Sequence, residues 1–159
     1  MSSLPSLGPR GEGWVAIQGI LLAGIFVGGL AEASAVGGTR PWATVAGAVV
    51  LGAGILLALL GMRGLGRSLT PLPHPRDGSV LVETGVYGLV RHPIYGGLVI
   101  AALGYGLLLQ ALVTAVVGSL VLLAFFTLKS TREEVWLGDR YPGYAAYRAR
   151  TRRMLPYLY

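Results

Sequence analysis

The chain has 159 residues, of which 53% are hydrophobic and 13% charged, with a formal net charge of +6. A length of this order fits a single domain, and a charged fraction about half that of a soluble protein points to a membrane. With no cysteine and only two histidines, His74 and His92, disulfides and thiolate catalysis are excluded and no metal is expected; the arginine excess follows membrane topology and predicts no nucleic-acid partner.

The first dozen residues are expected to be disordered. Four apolar segments follow, at about 14–34, 42–62, 94–110 and 113–129. They predict an all-α integral membrane protein of one domain over 1–159, with four spans and a helical C-terminal tail. The first two segments match the roughly 20 residues that cross a bilayer. Ala33-Ser34-Ala35 resembles a signal-peptidase site, but the weak charge of the Arg10–Glu12 region and the long apolar core favour a retained span. Gly24 with Gly28, and Gly52, Gly54, Gly104 and Gly106, are placed to let helices approach closely. The last two spans come from Ile94–Leu128, a charge-free block too long for one straight helix. A tight turn is predicted near Leu109–Val113, around Gln110.

Between the second and third spans, Thr70–Gly78 holds three closely spaced prolines that forbid helix, so a surface loop is expected, followed by the mildly β-prone Ser79–Glu83. The segment Arg63–Arg91 carries Arg63, Arg67, Arg76 and Arg91. Lys129, Arg132, Arg140, Arg148, Arg150, Arg152 and Arg153 lie in the tail, on the same side. The positive-inside bias places that side, and both termini, in the cytoplasm. The preference for Arg over Lys suggests a GC-rich, bacterial genome, and hence a bacterial cytoplasmic membrane. Ser130 with Glu133, and Thr131 with Glu134, match a capping box; either a helix restarts there or the fourth span continues outward. Tyr141-Pro142-Gly143 interrupts it, and Tyr144–Arg153 is predicted helical.

Polar residues cluster where the third span begins, in Gly88-Leu-Val-Arg-His-Pro-Ile-Tyr-Gly-Gly97. Pro93 suits a first helical turn and His92 its cap. The helix N-terminus offers free N–H groups that suit an anion such as a carboxylate. Glu133 and Glu134 follow the apolar block, and a hairpin of the last two spans brings them to the same membrane end. With Trp136, Tyr141, Tyr144 and Tyr147 they suit a zwitterionic, aromatic-headed cofactor. The same residues also suit plain duty, as interfacial anchors and as a solvated helix end balancing Arg132 and Arg140. The tail arginines read as anchors to anionic lipid, with Arg148 the candidate to reach a substrate carboxylate. Glycine-rich nucleotide loops and the common hydrolase motifs are absent.

Gly85-Val-Tyr-Gly-Leu-Val-Arg-His-Pro-Ile-Tyr-Gly96, Glu133-Glu134, Tyr141-x-x-Tyr144-x-x-Tyr147-Arg148, Leu155-Pro156 and the proline loop together resemble the isoprenylcysteine carboxyl methyltransferase and phospholipid methyltransferase superfamily. The resemblance covers roughly Met62 to Tyr159. It implies an integral membrane enzyme that uses S-adenosyl-L-methionine without a Rossmann domain, in a cytoplasmic-face pocket built by residues 62–159. It implies that His92 and Tyr95 contact the cofactor and that the lead-in with Tyr87, Val90 and Arg91 lines its pocket. Glu133 and Glu134 would orient cofactor and acceptor, and Tyr144 and Tyr147 would shape the closing tail. The implied partners are membrane lipids and a lipophilic or lipid-modified acceptor. Sterol-type membrane reductases share a similar C-terminal region and imply NADPH instead; a non-catalytic four-helix membrane protein is the third possibility.

Overall fold

The computed structural model describes residues 5–36, 40–75 and 77–155. Arg76 and the closing Pro156–Tyr159, which sequence reasoning assigned to the basic flank and to the family's terminal motif, lie outside the described residues. Five α-helices follow in order: α1 Glu12–Ala35, α2 Pro41–Leu65, α3 Pro93–Leu108, α4 Ser119–Arg140 and α5 Tyr144–Arg150. A π-helical turn, Thr114–Gly118, leads directly into α4, and 3₁₀ turns occupy Gly66–Ser68 and Gly85–Gly88. No strand occurs among the described residues, so the β-prone Ser79–Glu83 stays unpaired. The long apolar helices are α1, α2 with its 3₁₀ extension, and the π-turn with α4; α3 is apolar but has only 16 residues. Large apolar side chains such as Ile20, Trp42, Val45 and Val49 point outward, as they do on helices solvated by lipid.

The strongest helix pairing is between α2 and α3. Gly47, Gly54 and Gly61 recur every seven residues on α2, and a Cβ at each would strike Leu108, Ala101 and Ile94 respectively. The partners descend by the same interval, so the helices run antiparallel with backbones in close approach. Gly104 answers from α3, where a Cβ would strike Leu51. Without a hydrophobic drive between helices in lipid, such small-residue seams supply the packing. Gly54, Gly104 and Gly106 therefore do what their spacing predicted. Gly24 and Gly52 face open space, and Gly28 meets only the Thr114 hydroxyl, at 3.9 Å from a built Cβ. The predicted Gly24–Gly28 seam is thus not a packing seam, because α1 turns Gly29 to its neighbours instead, against the Tyr105 ring.

The predicted turn stands at Leu109–Gln110. Gln110 has φ 59, a left-handed backbone that non-glycine residues adopt at a cost of about 1–2 kcal/mol. Its side chain offsets this: Oε1 accepts from the Arg40 N–H at 3.0 Å and Nε2 donates to Thr44 Oγ1 at 3.3 Å. Glu32, at the end of α1, accepts from the N–H groups of Val113 and Thr114 and from the Thr114 hydroxyl, so it caps the start of the fourth helix.

At the opposite end, Trp14, Val99, Leu122, Phe125, Phe126 and Met154 form the core. Residues 5–11 are ordered rather than disordered: Leu7 packs on this core and the Arg10 carbonyl accepts from the His74 N–H. The apolar contact of Leu7 supplies what the polar composition of the segment concealed. Of the two readings of 130–134, continuation holds. Ser130 and Thr131 bond back to the Thr127 carbonyl and do not cap a new helix. The tail helix stops at Arg150, short of the predicted Arg153, because residues 151–153 extend to pair with the start of α3.

Replacing Gly104 by Val forces α2 and α3 apart and is expected to lower stability by about 1–3 kcal/mol, whereas Gly52→Val, on an open face, changes it by less than about 0.5 kcal/mol. Thermal unfolding in detergent measures both.

Candidate functional site

The polar residues before the third span fold as a joint. His92 is the N-cap of α3 and Pro93 its first residue. The tail pairs alongside: the N–H groups of Arg91 and His92 donate to the carbonyls of Arg152 and Arg153, and the Arg152 N–H donates to the Leu89 carbonyl. Gly96 leaves the room that the Met154 carbonyl occupies, and Gly97 leaves room for Gly54 and Ala58, so the paired glycines serve the tail and α2 separately. Arg91 completes the joint. Its Nε donates to Glu134 Oε1 at 2.9 Å, and its Nη1 donates to the carbonyls of Arg148 and Thr151.

Neighbouring residues of α4 project about 100° apart, and the two glutamates accordingly diverge. Glu134 is buried and meets Arg91, His92 Nε2 at 3.2 Å, Arg148 at 3.6 Å and Arg153 at 3.7 Å. The carboxylate expected near the N-terminus of α3 is therefore the protein's own. Glu133 turns the other way, accepts from the Tyr95 hydroxyl at 2.9 Å and stands 3.7 Å from His92 Nδ1. The Tyr95 ring is stacked between His92 and Phe126, which fixes its hydroxyl on Glu133. Arg132 and Arg140 lie over Trp136 and Tyr141 and do not balance the glutamates.

A cavity of about 330 Å³ opens beside this cluster, within the range of roughly 300–1,000 Å³ of small-molecule sites. Tyr87, Arg91, His92, Tyr95, Glu133, Tyr144 and Tyr147 all line it, with Tyr141. Val90, Glu134 and Arg148 do not. Val90 is buried beneath the tail, whereas Glu134 and Arg148 face a second pocket on the other side of α4. Tyr147 donates to the Tyr87 carbonyl and Tyr87 to the Gly61 carbonyl. The Tyr144 hydroxyl is buried in the cavity wall and has no hydrogen-bond partner among the described residues. Burial raises the pKa of Tyr87, Tyr144 and Tyr147, so their hydroxyls stay neutral donors. An exposed carboxylate edge, aromatic faces and a spare hydroxyl donor suit a cationic ligand with a polar aromatic part.

Two features escaped sequence reasoning. The proline loop is part of the wall: Leu69–Pro73 and Ser79–Val82 line the cavity, with the Ser79 hydroxyl 2.7 Å from that of Tyr141. Lys129, counted among the tail cations, is buried and lines the cavity too. Its place one helical turn before Glu133 was the available signal. The tail arginines also depart from simple lipid anchoring: Arg150 pairs with Glu83 at 2.5 Å, and Arg153 reaches Thr131 and Glu134. Each finds a protein acceptor because the tail folds back across α3.

The sequence profile of a family described as phospholipid methyltransferase matches residues 42–143. The chain is 45% identical over 69 residues to a protein-S-isoprenylcysteine O-methyltransferase of Schizosaccharomyces pombe, covering 41% of this chain and 29% of that one. It is 35% identical over 105 residues to a probable protein-S-isoprenylcysteine O-methyltransferase of Oryza sativa subsp. indica, covering 62% and 55%. Over 83 residues it is 31% identical to the cobalt-zinc-cadmium resistance protein CzcN of Cupriavidus metallidurans, covering 52% and 38%. The chain thus spans 29% to 55% of the length of these curated relatives.

Removing one partner of a buried ion pair costs about 3–5 kcal/mol. Arg91→Met is therefore expected to free the tail, seen as faster proteolysis and hydrogen exchange over residues 144–155 with α2 and α3 unchanged.

Proposed function

This chain belongs to the phospholipid methyltransferase family, and on that premise we propose that it transfers a methyl group from S-adenosyl-L-methionine to a lipophilic acceptor at the cytoplasmic face of a membrane. The observation that carries this reading is the cavity in which Glu133, held by Tyr95, faces the tyrosines of the tail. When bound, the cofactor supplies a methyl group on a cationic sulfonium, which becomes a neutral thioether as an acceptor lone pair takes the methyl. The residues present fit such a group. Glu133 supplies the countercharge, the tyrosine rings suit the cation, and the free Tyr144 hydroxyl has a donor to give.

Each side chain then has a task. His92 and Tyr95 set the position of the Glu133 carboxylate, and alignment of that kind is the main demand of an in-line displacement. Tyr87, Tyr144 and Tyr147 close the water side, and a dry site strengthens the attraction between the sulfonium and its partners. Arg91 and Glu134 hold the tail in place. Arg148, more than half exposed beside Glu134, stands outside the cavity and is assigned to the same tail joint.

The topology proposed with this function has four spans, both termini in the cytoplasm and one domain whose part 62–159 binds the cofactor. At about 1.5 Å per residue, α3 is a short span; its packing against α2 and α4 supports it. The names of the curated relatives, protein-S-isoprenylcysteine O-methyltransferases, support a lipid or lipid-modified acceptor.

Purified protein is expected to bind S-adenosylhomocysteine saturably, with Glu133→Gln and His92→Ala each weakening binding at least about tenfold, or 1.4 kcal/mol. Preferential NADPH binding would favour a reductase, and binding of neither would contradict an enzymatic role.

A further inference from the structure

Lys129, the only lysine in the chain, is 1% exposed and lies in the cavity wall. Its ammonium donates to Gln18 Oε1 at 2.6 Å, lies 3.5 Å from the Pro71 carbonyl and sits 5.2 Å from the centre of the Tyr95 ring. All of these are uncharged. Among the described residues no carboxylate comes within 4.0 Å of it. Glu133 is one turn away, bonded to Tyr95 instead. Glu133 is thus a countercharge one turn off and not a contact ion pair; a buried cation without a directly paired anion is costly, and here it borders a space open to a ligand.

The position within the cavity says what that ligand brings. Lys129, Glu133 and Leu137 line the wall at four-residue steps, so the positive and negative groups stand about 6 Å apart along α4. A wall that runs positive then negative complements a ligand pair that runs negative then positive. The cationic sulfonium takes the Glu133 end, and the Lys129 end is left for an anion. That end lies deeper along α4, next to its apolar half Ser119–Leu128. Gln18 reaches it from α1 and Met62 and Leu65 from α2, yet α1 packs on α3 and α4 while α2 packs on α3. Between the described residues of α1 and α2 there is at most a weak contact, and a hydrocarbon chain would enter there.

Resting on the methyl-transfer reading, we propose that Lys129, oriented by Gln18, is the specificity-determining residue for the acceptor, and that the acceptor is a long-chain anion whose carboxylate or phosphate seats on this ammonium. A neutral or cationic head group leaves the buried charge unpaired and is rejected.

The test uses the full chain in neutral detergent, without methyl donor, and measures the affinity of three probes: tetradecanoate, tetradecyl phosphate and the uncharged tetradecanamide. The wild type is expected to bind at least one anion tenfold or more tighter than the amide. The stronger anion identifies the head group, a carboxylate or a lipid phosphate. Lys129→Met abolishes the preference and Lys129→Arg retains it. Gln18→Glu supplies a counter-ion from the protein itself, so it abolishes the preference with the lysine and the fold kept; it decides the matter if Lys129→Met does not fold. S-adenosylhomocysteine binding, measured separately for the wild type and each variant, reports whether the cofactor end of the cavity is kept. Equal binding of anion and amide by the wild type, or a preference that survives both Lys129→Met and Gln18→Glu, overturns the proposal. Failure of S-adenosylhomocysteine to bind the wild type would overturn the methyl-transfer reading while leaving the anion preference measurable.

Discussion

The ion pair between Arg91 and Glu134 is the constraint on which the rest of this molecule depends. It joins the segment leading into α3 to the end of α4, and through the Arg148 and Thr151 carbonyls it joins both to the tail. Charges are expensive near hydrocarbon unless they are paired and fully hydrogen-bonded. Here one guanidinium satisfies a carboxylate and two carbonyls, so the cluster is a joint rather than a liability. Without it the Tyr144–Arg150 helix keeps only the backbone pairing of residues 152–153, the Tyr147–Tyr87 bond and the Arg150–Glu83 pair, and the water-side wall of the cavity loosens.

The adjacent glutamates show how one helical step separates structure from chemistry. Glu134 is spent on the joint, with basic groups on both of its oxygens. Glu133 keeps an edge toward the cavity and takes its position from Tyr95, whose ring is clamped by His92 and Phe126. Lys129 then sets the opposite sign one turn away. A short stretch of α4 thus carries the tail joint, a site for a cation and a buried positive charge.

Much of this was legible in the sequence, and the reasons are specific. Pro93 after His92 marks a helix start under local rules, and the charge-free Ile94–Leu128 block is too long for one span, so the hairpin followed from length alone. Tyr87, His92, Tyr95, Glu133, Tyr144 and Tyr147 share a cavity as their motif implied. What was not legible depends on direction. Spacing alone does not tell which of two adjacent glutamates faces a cavity, nor that Val90 turns inward under the tail. The GxxxG of Gly24 and Gly28 fits a common pattern but faces the open side of α1, while the true seam repeats every seven residues, at Gly47, Gly54 and Gly61. Lys129 reads as one more tail cation until the fold buries it. The apolar contact of Leu7 is likewise invisible in a polar, proline-bearing segment.

The central claim is that the start of α3, the end of α4 and the returning tail enclose one cofactor site. Hydrogen–deuterium exchange of the full chain with and without S-adenosylhomocysteine tests it most directly. Protection confined to residues 85–95, 133–137 and 141–148 is the predicted result. Protection of α1 and the far-end turn at Leu109–Gln110 instead, or of no segment at a saturating concentration, would contradict it.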